Sequence, residues 1–232
     1  MGNIVDVIIP AWNEEKSIGN VVADIDRTVV RHVFVVDNNS KDKTGEVATK
    51  AGAVVLKETH QGYGAACLKG IEAANASVPP ADIIVFMDAD YSDYAHEMPL
   101  LLDPIEKGEA QMVIGSRSRG QRERGSMTPQ QIFGNWLATR MIRVIYGFTF
   151  TDLGPYRAIR LNDLNAIGMT DRDFGWTVEM QIKAIKNRLK IAEVPVNYRK
   201  RIGVSKVSGT VKGTILAGYK IITTILKYAW SL

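Results

Sequence analysis

Short apolar runs alternate with amphipathic stretches through the first half of the chain. Residues 4–9, 33–36, 53–56, 83–87 and 112–114 are brief, mostly apolar and bounded by polar or glycine-containing segments, which predicts strands buried in a sheet. Residues 14–25, 44–51, 64–76 and 96–107 predict the helices between them. This alternation predicts an α/β fold, a Rossmann-like, mostly parallel sheet with helices on both faces. Past residue 114 the rhythm loosens. Residues 120–129, rich in glycine and arginine, predict a mobile loop. Helices are predicted over 130–147, 174–187 and 210–230 and a strand over 192–198. A tight turn at 152–157 and a basic loop at 199–209 complete the pattern.

The last predicted helix carries Val211, Ile215, Tyr219, Ile222, Leu226 and Ala229 on one side and Lys212, Lys220 and Lys227 on a separate arc. Such a helix lies on an anionic membrane surface, packs on its own domain or meets a dimer partner. The chain therefore divides into a main domain over 1–206 and a basic amphipathic C-terminal helix over 207–232. No run approaches the ~20 apolar residues of a membrane-spanning helix. The N-terminus lacks a basic region ahead of an apolar stretch, which predicts no signal peptide. A single cysteine, Cys67, excludes an internal disulfide and suits a reducing, cytoplasmic setting.

Net charge is only +4, but residues 1–114 hold 9 Lys/Arg against 18 Asp/Glu, whereas residues 115–232 hold 20 against 7. Arg117, Arg119, Arg122 and Arg124 fall close together in the basic half. The asymmetry predicts an anionic partner, whether nucleic acid, anionic lipid or a phosphorylated substrate.

Candidate chemistry collects where the predicted strands end, the place where parallel sheets bind ligands. The run 83–87 stops at Asp88-Ala89-Asp90. Two carboxylates ~4 Å apart repel by about 4 kcal/mol at an effective dielectric near 20. A divalent cation removes that cost, and Mg²⁺ or Mn²⁺ commonly joins carboxylates to substrate phosphates. A polar turn after a strand is the plainer alternative. Asp37 ends another strand and could accept hydrogen bonds from a ribose or base, or cap the next helix. Gly62 and Gly64, with Ala65, open a helix whose glycines admit close backbone approach and whose N-terminus favours phosphate. No Walker A sequence occurs, and no Gly-x-Gly-x-x-Gly follows the first strand, which counts against a P-loop enzyme or a dehydrogenase. His32, His60 and His96 lack metal-ligand spacing.

Taken in order, several motifs resemble the inverting family-2 glycosyltransferases of the nucleotide-sugar type A fold. They are Pro10-Ala11-Trp12-Asn13-Glu14-Glu15, Val36-Asp37-Asn38-Asn39-Ser40, Gly62-Tyr63-Gly64-Ala65-Ala66, Asp88-Ala89-Asp90, Gly115-Ser116-Arg117, Asp152-Leu153-Gly154-Pro155-Tyr156-Arg157, and Glu193-Val194-Pro195-Val196 with Arg201 and Lys206. The likeness is greatest to the polyprenyl- and dolichyl-phosphate sugar synthases. It implies that Pro10, Trp12, Glu14 and Asp37 hold the base and ribose. Ala11, Asn39, Gly62, Gly64, Ala65 and Ala89 would also bind substrate, and Asp88 and Asp90 would hold Mg²⁺ or Mn²⁺ on the donor pyrophosphate. Arg117, Arg201 and Lys206 would meet phosphates, with Asp90 and Arg117 carrying catalysis. Asn38 stands where many members have a second Asp.

The expected function is transfer of a hexose from a nucleotide sugar of the UDP-glucose or GDP-mannose type to a polyprenyl phosphate. Such an enzyme would work in the cytoplasm, at the inner face of the membrane, without nucleic acid and with homo-oligomerisation open. A phosphate acceptor is already anionic and needs positioning rather than a strong base. A sugar-hydroxyl acceptor, as in cell-surface polysaccharide synthesis, would need a general base, for which Glu179, Asp152 and Asp93 are candidates. Two other readings remain open: a haloacid-dehalogenase-like phosphatase, which also uses Asp-x-Asp, and a non-catalytic nucleotide-sugar-binding module.

Overall fold

The computed structural model describes residues 2–203 and 211–230. Seven strands form one sheet: β1 (Val5–Ala11), β2 (Val30–Asp37), β3 (Val54–Lys57), β4 (Ile83–Phe86), β5 (Met112–Ser116), β6 (Arg157–Arg160) and β7 (Ile191–Pro195), in the order β3-β2-β1-β4-β6-β5-β7. β6 runs antiparallel to β4 and β5, and every other pairing is parallel. Alternate residues of each strand serve opposite layers. Val5, Val7, Ile9, Val33, Val35, Ile83 and Val85 pack against α1 (Ile18–Ala23), α2 (Thr44–Lys50) and α4 (Met98–Glu106). Ile8, Phe34, Val36, Ile84 and Phe86 face α3 (Tyr63–Ala76), α6 (Leu161–Ile167) and α7 (Trp176–Lys186). α5 (Pro129–Tyr146) and α8 (Val211–Trp230) pack on each other, and α8 also on α7.

The parallel connections bring the polar ends of β1, β2, β4 and β5 to one edge of the sheet. The strands expected in the first half are all present, with helices on both faces. The second half departs from expectation. The turn predicted at 152–157 is an irregular segment that ends in β6, and α6 follows it directly. Arg157 is almost fully buried and donates hydrogen bonds to the carbonyls of Leu153, Gly154 and Thr177. It thereby holds the 153–154 segment against the start of α7. The segment 120–129, expected to be a mobile loop, is tied to the extension of β7, where Tyr198 N–H donates to Gln121 O and Glu123 N–H to Tyr198 O, both at 2.9 Å.

α8 packs on the domain by one side only. Ile215, Tyr219 and Leu226 are exposed, while Thr224 and Ile225 are buried and Ile221 and Tyr228 pack on the core. Of the alternatives left open by the wheel, the structure therefore has Ile215, Tyr219 and Leu226 facing away from the domain while the next arc carries the packing. Tyr146 Oη donates to Ile225 O (2.6 Å), and Tyr228 Oη to Glu179 Oε1 (2.6 Å). α5 begins with a reciprocal cap in which Gln131 N–H donates to Thr128 Oγ1 and Thr128 N–H to Gln131 Oε1. It ends at Gly147, whose φ of 71° suits glycine.

Candidate active site

A cleft of about 830 Å³ opens over the carboxyl edge of the sheet. Pro10, Ala11, Trp12 and Glu14 line it from β1; Asp88, Ala89 and Asp90 follow β4; Arg117 follows β5; Gly62 and Arg201 come from flanking loops. Among the other residues expected here, Asp37, Asn39, Gly64 and Ala65 do not line the cleft, and Lys206 lies outside the described residues. Asp37 Oδ1 accepts from Ser40 N–H (3.0 Å), so it braces the loop after β2.

Asn38 explains its own departure from the family pattern. Its Nδ2 donates to His60 O (2.8 Å) and Glu58 O (3.3 Å), and its Oδ1 accepts from Gly62 N–H (2.7 Å). A carboxylate has no donor for the two carbonyls. The same segment shows what Gly62, Gly64 and Ala65 touch inside the protein. A Cβ on Gly62 would lie 2.1 Å from Arg172 O, and one on Gly64 2.1 Å from Asp171 O. Gly64 N–H donates to Asp173 O (3.3 Å) and Ala65 N–H to Arg172 O (2.9 Å). The close backbone approach is made by loop 171–173, and the Gly64 and Ala65 donors serve its carbonyls.

Arg117 is likewise committed within the protein. Its Nε and Nη2 donate to Asp152 at 2.8 and 2.7 Å, and its backbone N–H to the same carboxylate at 2.8 Å. Burial raises the Asp152 carboxyl, yet the Arg117 charge and hydrogen bonds hold it below the ordinary carboxylate range. Arg117 thus lines the cleft with its guanidinium already paired to Asp152. Of the candidate bases, Asp152 is fully buried in this pair. Glu179 is buried as well, accepting from Thr170, Asp171 and Tyr228 and pairing with Lys183 (2.8 Å). Asp93 is inaccessible too; its Oδ2 accepts from Asp88 N–H (3.3 Å), and its Oδ1 has no partner among the described residues.

Asp88 and Asp90 do come together. Burial first, then the Asp90 charge, raises the Asp88 carboxyl from 3.8 to about 7, despite Arg117, Arg201 and the Tyr63 hydroxyl at 3.3 Å. Burial and the charges of Asp88 and Asp90 push Asp93 well up. Arg201 bridges the site, with Nη1 3.1 Å from Asp90 Oδ2 and Nη2 2.8 Å from Glu14 Oε1. An all-oxygen set whose proton affinity is raised by a neighbouring carboxylate fits Mg²⁺ or Mn²⁺. No cluster of three or more metal-ligating His, Cys, Asp or Glu occurs among the described residues, so these two carboxylates would hold such an ion with help from a ligand. Tyr63, Asn135, Asp173, Thr177 and Tyr198 also line the cleft. Of these, the sequence motifs included only Tyr63; the others reach the cleft through tertiary contacts rather than a strand-end motif.

The sheet with one antiparallel strand and the acidic cleft at its carboxyl edge are the architecture of the type A glycosyltransferase fold. Residues 6–168 match Glycosyl transferase family 2, and the chain belongs to that family. It is 34% identical over 223 residues to a dolichyl-phosphate hexose transferase of Haloferax volcanii, covering 95% of this chain and 93% of the relative. It is 30% identical over 218 residues to an undecaprenyl-phosphate mannosyltransferase of Micrococcus luteus, covering 89% and 88%. Among solved structures, it resembles glucosyl-3-phosphoglycerate synthase of Mycobacterium tuberculosis, in complex with Mn²⁺, UDP-glucose and phosphoglyceric acid. That TM-score is 0.78 at 22% identity, over 98% of this chain and 80% of the other. Family membership removes the phosphatase alternative.

Proposed function

We propose that this glycosyltransferase moves a hexose from a nucleotide sugar to a polyprenyl phosphate at a membrane surface. The observation that carries the reading is full-length likeness to two relatives whose names specify lipid-phosphate acceptors. The site supports it. The carboxylates considered as general bases, Asp93, Asp152 and Glu179, are all inaccessible, which disfavours a hydroxyl acceptor served by any of them. A phosphate monoester is already anionic at neutral pH, so the enzyme's task is alignment and stabilisation of the departing nucleoside diphosphate.

Asp88 and Asp90 would hold Mg²⁺ or Mn²⁺, which supplies charge neutralisation on the diphosphate when bound. The β1 end, with Pro10, Ala11 and Trp12, walls the nucleotide side, and Glu14 orients Arg201 across the mouth. α5 and α8 form the opposite wall, and each carries exposed apolar side chains, Phe133 and Trp136 on α5 and Ile215 and Tyr219 on α8, suited to a lipid boundary. The test is transfer of labelled hexose from UDP-glucose and GDP-mannose to undecaprenyl or dolichyl phosphate, with Mg²⁺ or Mn²⁺ and with EDTA. Transfer should need the metal and vanish in Asp90→Asn with the fold intact. Transfer to a soluble phosphoacid but to neither lipid phosphate would overturn the acceptor assignment.

A further inference from the structure

Arg201 stands where a cation is wanted. Its guanidinium lies between Asp90 and Glu14, with only about a quarter of the side chain exposed. The loop that carries it is fastened beside the acidic turn, since Ile202 N–H donates to Asp90 O (2.9 Å) and Arg199 N–H to Ser92 O (3.0 Å). Asp90 Oδ1 accepts from Ser92 N–H and Oγ, so the oxygen given to Arg201 is the one the turn leaves over. Arg201 Nε is buried and has no hydrogen-bond partner among the described residues. A guanidinium has five donors and no acceptor, so this leaves a charged donor in the same cleft as Asp88 without an acceptor.

We propose that Arg201 is a resident surrogate for the metal: it neutralises Asp90 in the free enzyme and transfers to the diphosphate when a divalent cation takes its place. The inference rests on the metal and nucleotide reading above, but not on the acceptor. A divalent ion arriving alone must displace Arg201 from Asp90 and so take one counter-charge from that guanidinium. An ion arriving with a nucleoside diphosphate brings a replacement along, and a planar guanidinium suits phosphate oxygens. Metal and nucleotide therefore bind as a pair, and the empty enzyme discriminates against metal alone. By linkage, whatever factor the nucleotide contributes to metal affinity the metal contributes to nucleotide affinity.

The test measures Mn²⁺ binding by the loss of its free-ion resonance signal, without nucleotide and then with UDP or GDP. In Arg201→Ala, Mn²⁺ alone should bind about 5-fold tighter than in the native protein, the fold-change equivalent to about 1 kcal/mol for a partly exposed ion pair. The factor by which nucleotide tightens Mn²⁺ should shrink, and nucleotide should bind more weakly at saturating Mn²⁺. Arg201→Gln keeps length and polarity without charge, should show the same pattern, and guards against misfolding in the alanine variant. Unchanged or weaker Mn²⁺ binding in the two variants, or no Mn²⁺ binding in any form, overturns the proposal. Failure of lipid-phosphate transfer would leave these affinities standing and would strike only the acceptor assignment.

Discussion

Arg117 and Asp152 join the end of β5 to the segment before β6, and the pair anchors the base of the cleft. Removing one member of a buried pair leaves the other uncompensated, at about 3–5 kcal/mol. Arg117→Ala should therefore lose stability on that scale in urea melts, beyond any effect on transfer. The sign with pH follows from Asp152, whose carboxyl is held below its usual 3.8. The native pair contributes fully above about pH 4, and that contribution is lost as pH falls through the lowered value. The difference between native protein and variant should thus be largest at neutral pH and close in acid. A variant as stable as the native protein at pH 7 would restore Arg117 as a free substrate ligand. At this scale Asp88 and Asp90 were legible in the sequence, because an apolar strand ending in two acids sets like charges side by side where a parallel sheet binds ligands. The pairing of Arg117 was not, since Asp152 is 35 residues away and belongs to a different strand's approach.

The elements of the first half were legible because each buried strand is a short apolar run and each helix between strands is amphipathic. β6 escaped because Arg157-Ala158-Ile159-Arg160 has two arginines in four residues, and only tertiary contacts satisfy Arg157. Which side of α8 would pack was left open for a related reason: both of its arcs are apolar, and the wheel cannot say which one α5 and α7 will cover. The start of α3 offers a test at this scale. Gly64 lies under the backbone of loop 171–173, where a methyl group would meet Asp171 O at 2.1 Å. Backbone cannot yield as a flexible side chain does, so Gly64→Ala should cost about 1–3 kcal/mol by overpacking. If the glycine instead served ligand approach, the same change would weaken nucleotide binding with stability intact. Denaturant melts and nucleotide titration on one sample separate the two.

For the whole molecule, the question is how a protein without a spanning helix among the described residues would meet a lipid acceptor. The sequence pointed to a lysine-lined helix. The structure shifts the weight toward apolar contact: Lys220 pairs with Asp171 at 3.0 Å, while Phe133 and Trp136 on α5 are 60% and 57% exposed, with rings 5.8 Å apart. Ile215 and Tyr219 are also exposed on α8, and Arg140 and Arg143 on α5. Aromatic side chains favour the membrane interface, and each Lys or Arg near an anionic surface adds about 1 kcal/mol within a Debye length of ~8 Å. Co-sedimentation should therefore show binding to anionic vesicles that weakens but persists at high salt. Phe133→Ser with Trp136→Ser should remove the salt-resistant part. A surface worked by charge alone would lose all binding at high salt and ignore those substitutions. No vesicle binding at low salt, with a dimer that the same two substitutions dissociate, would assign the face to a second copy of the chain and sink the membrane reading.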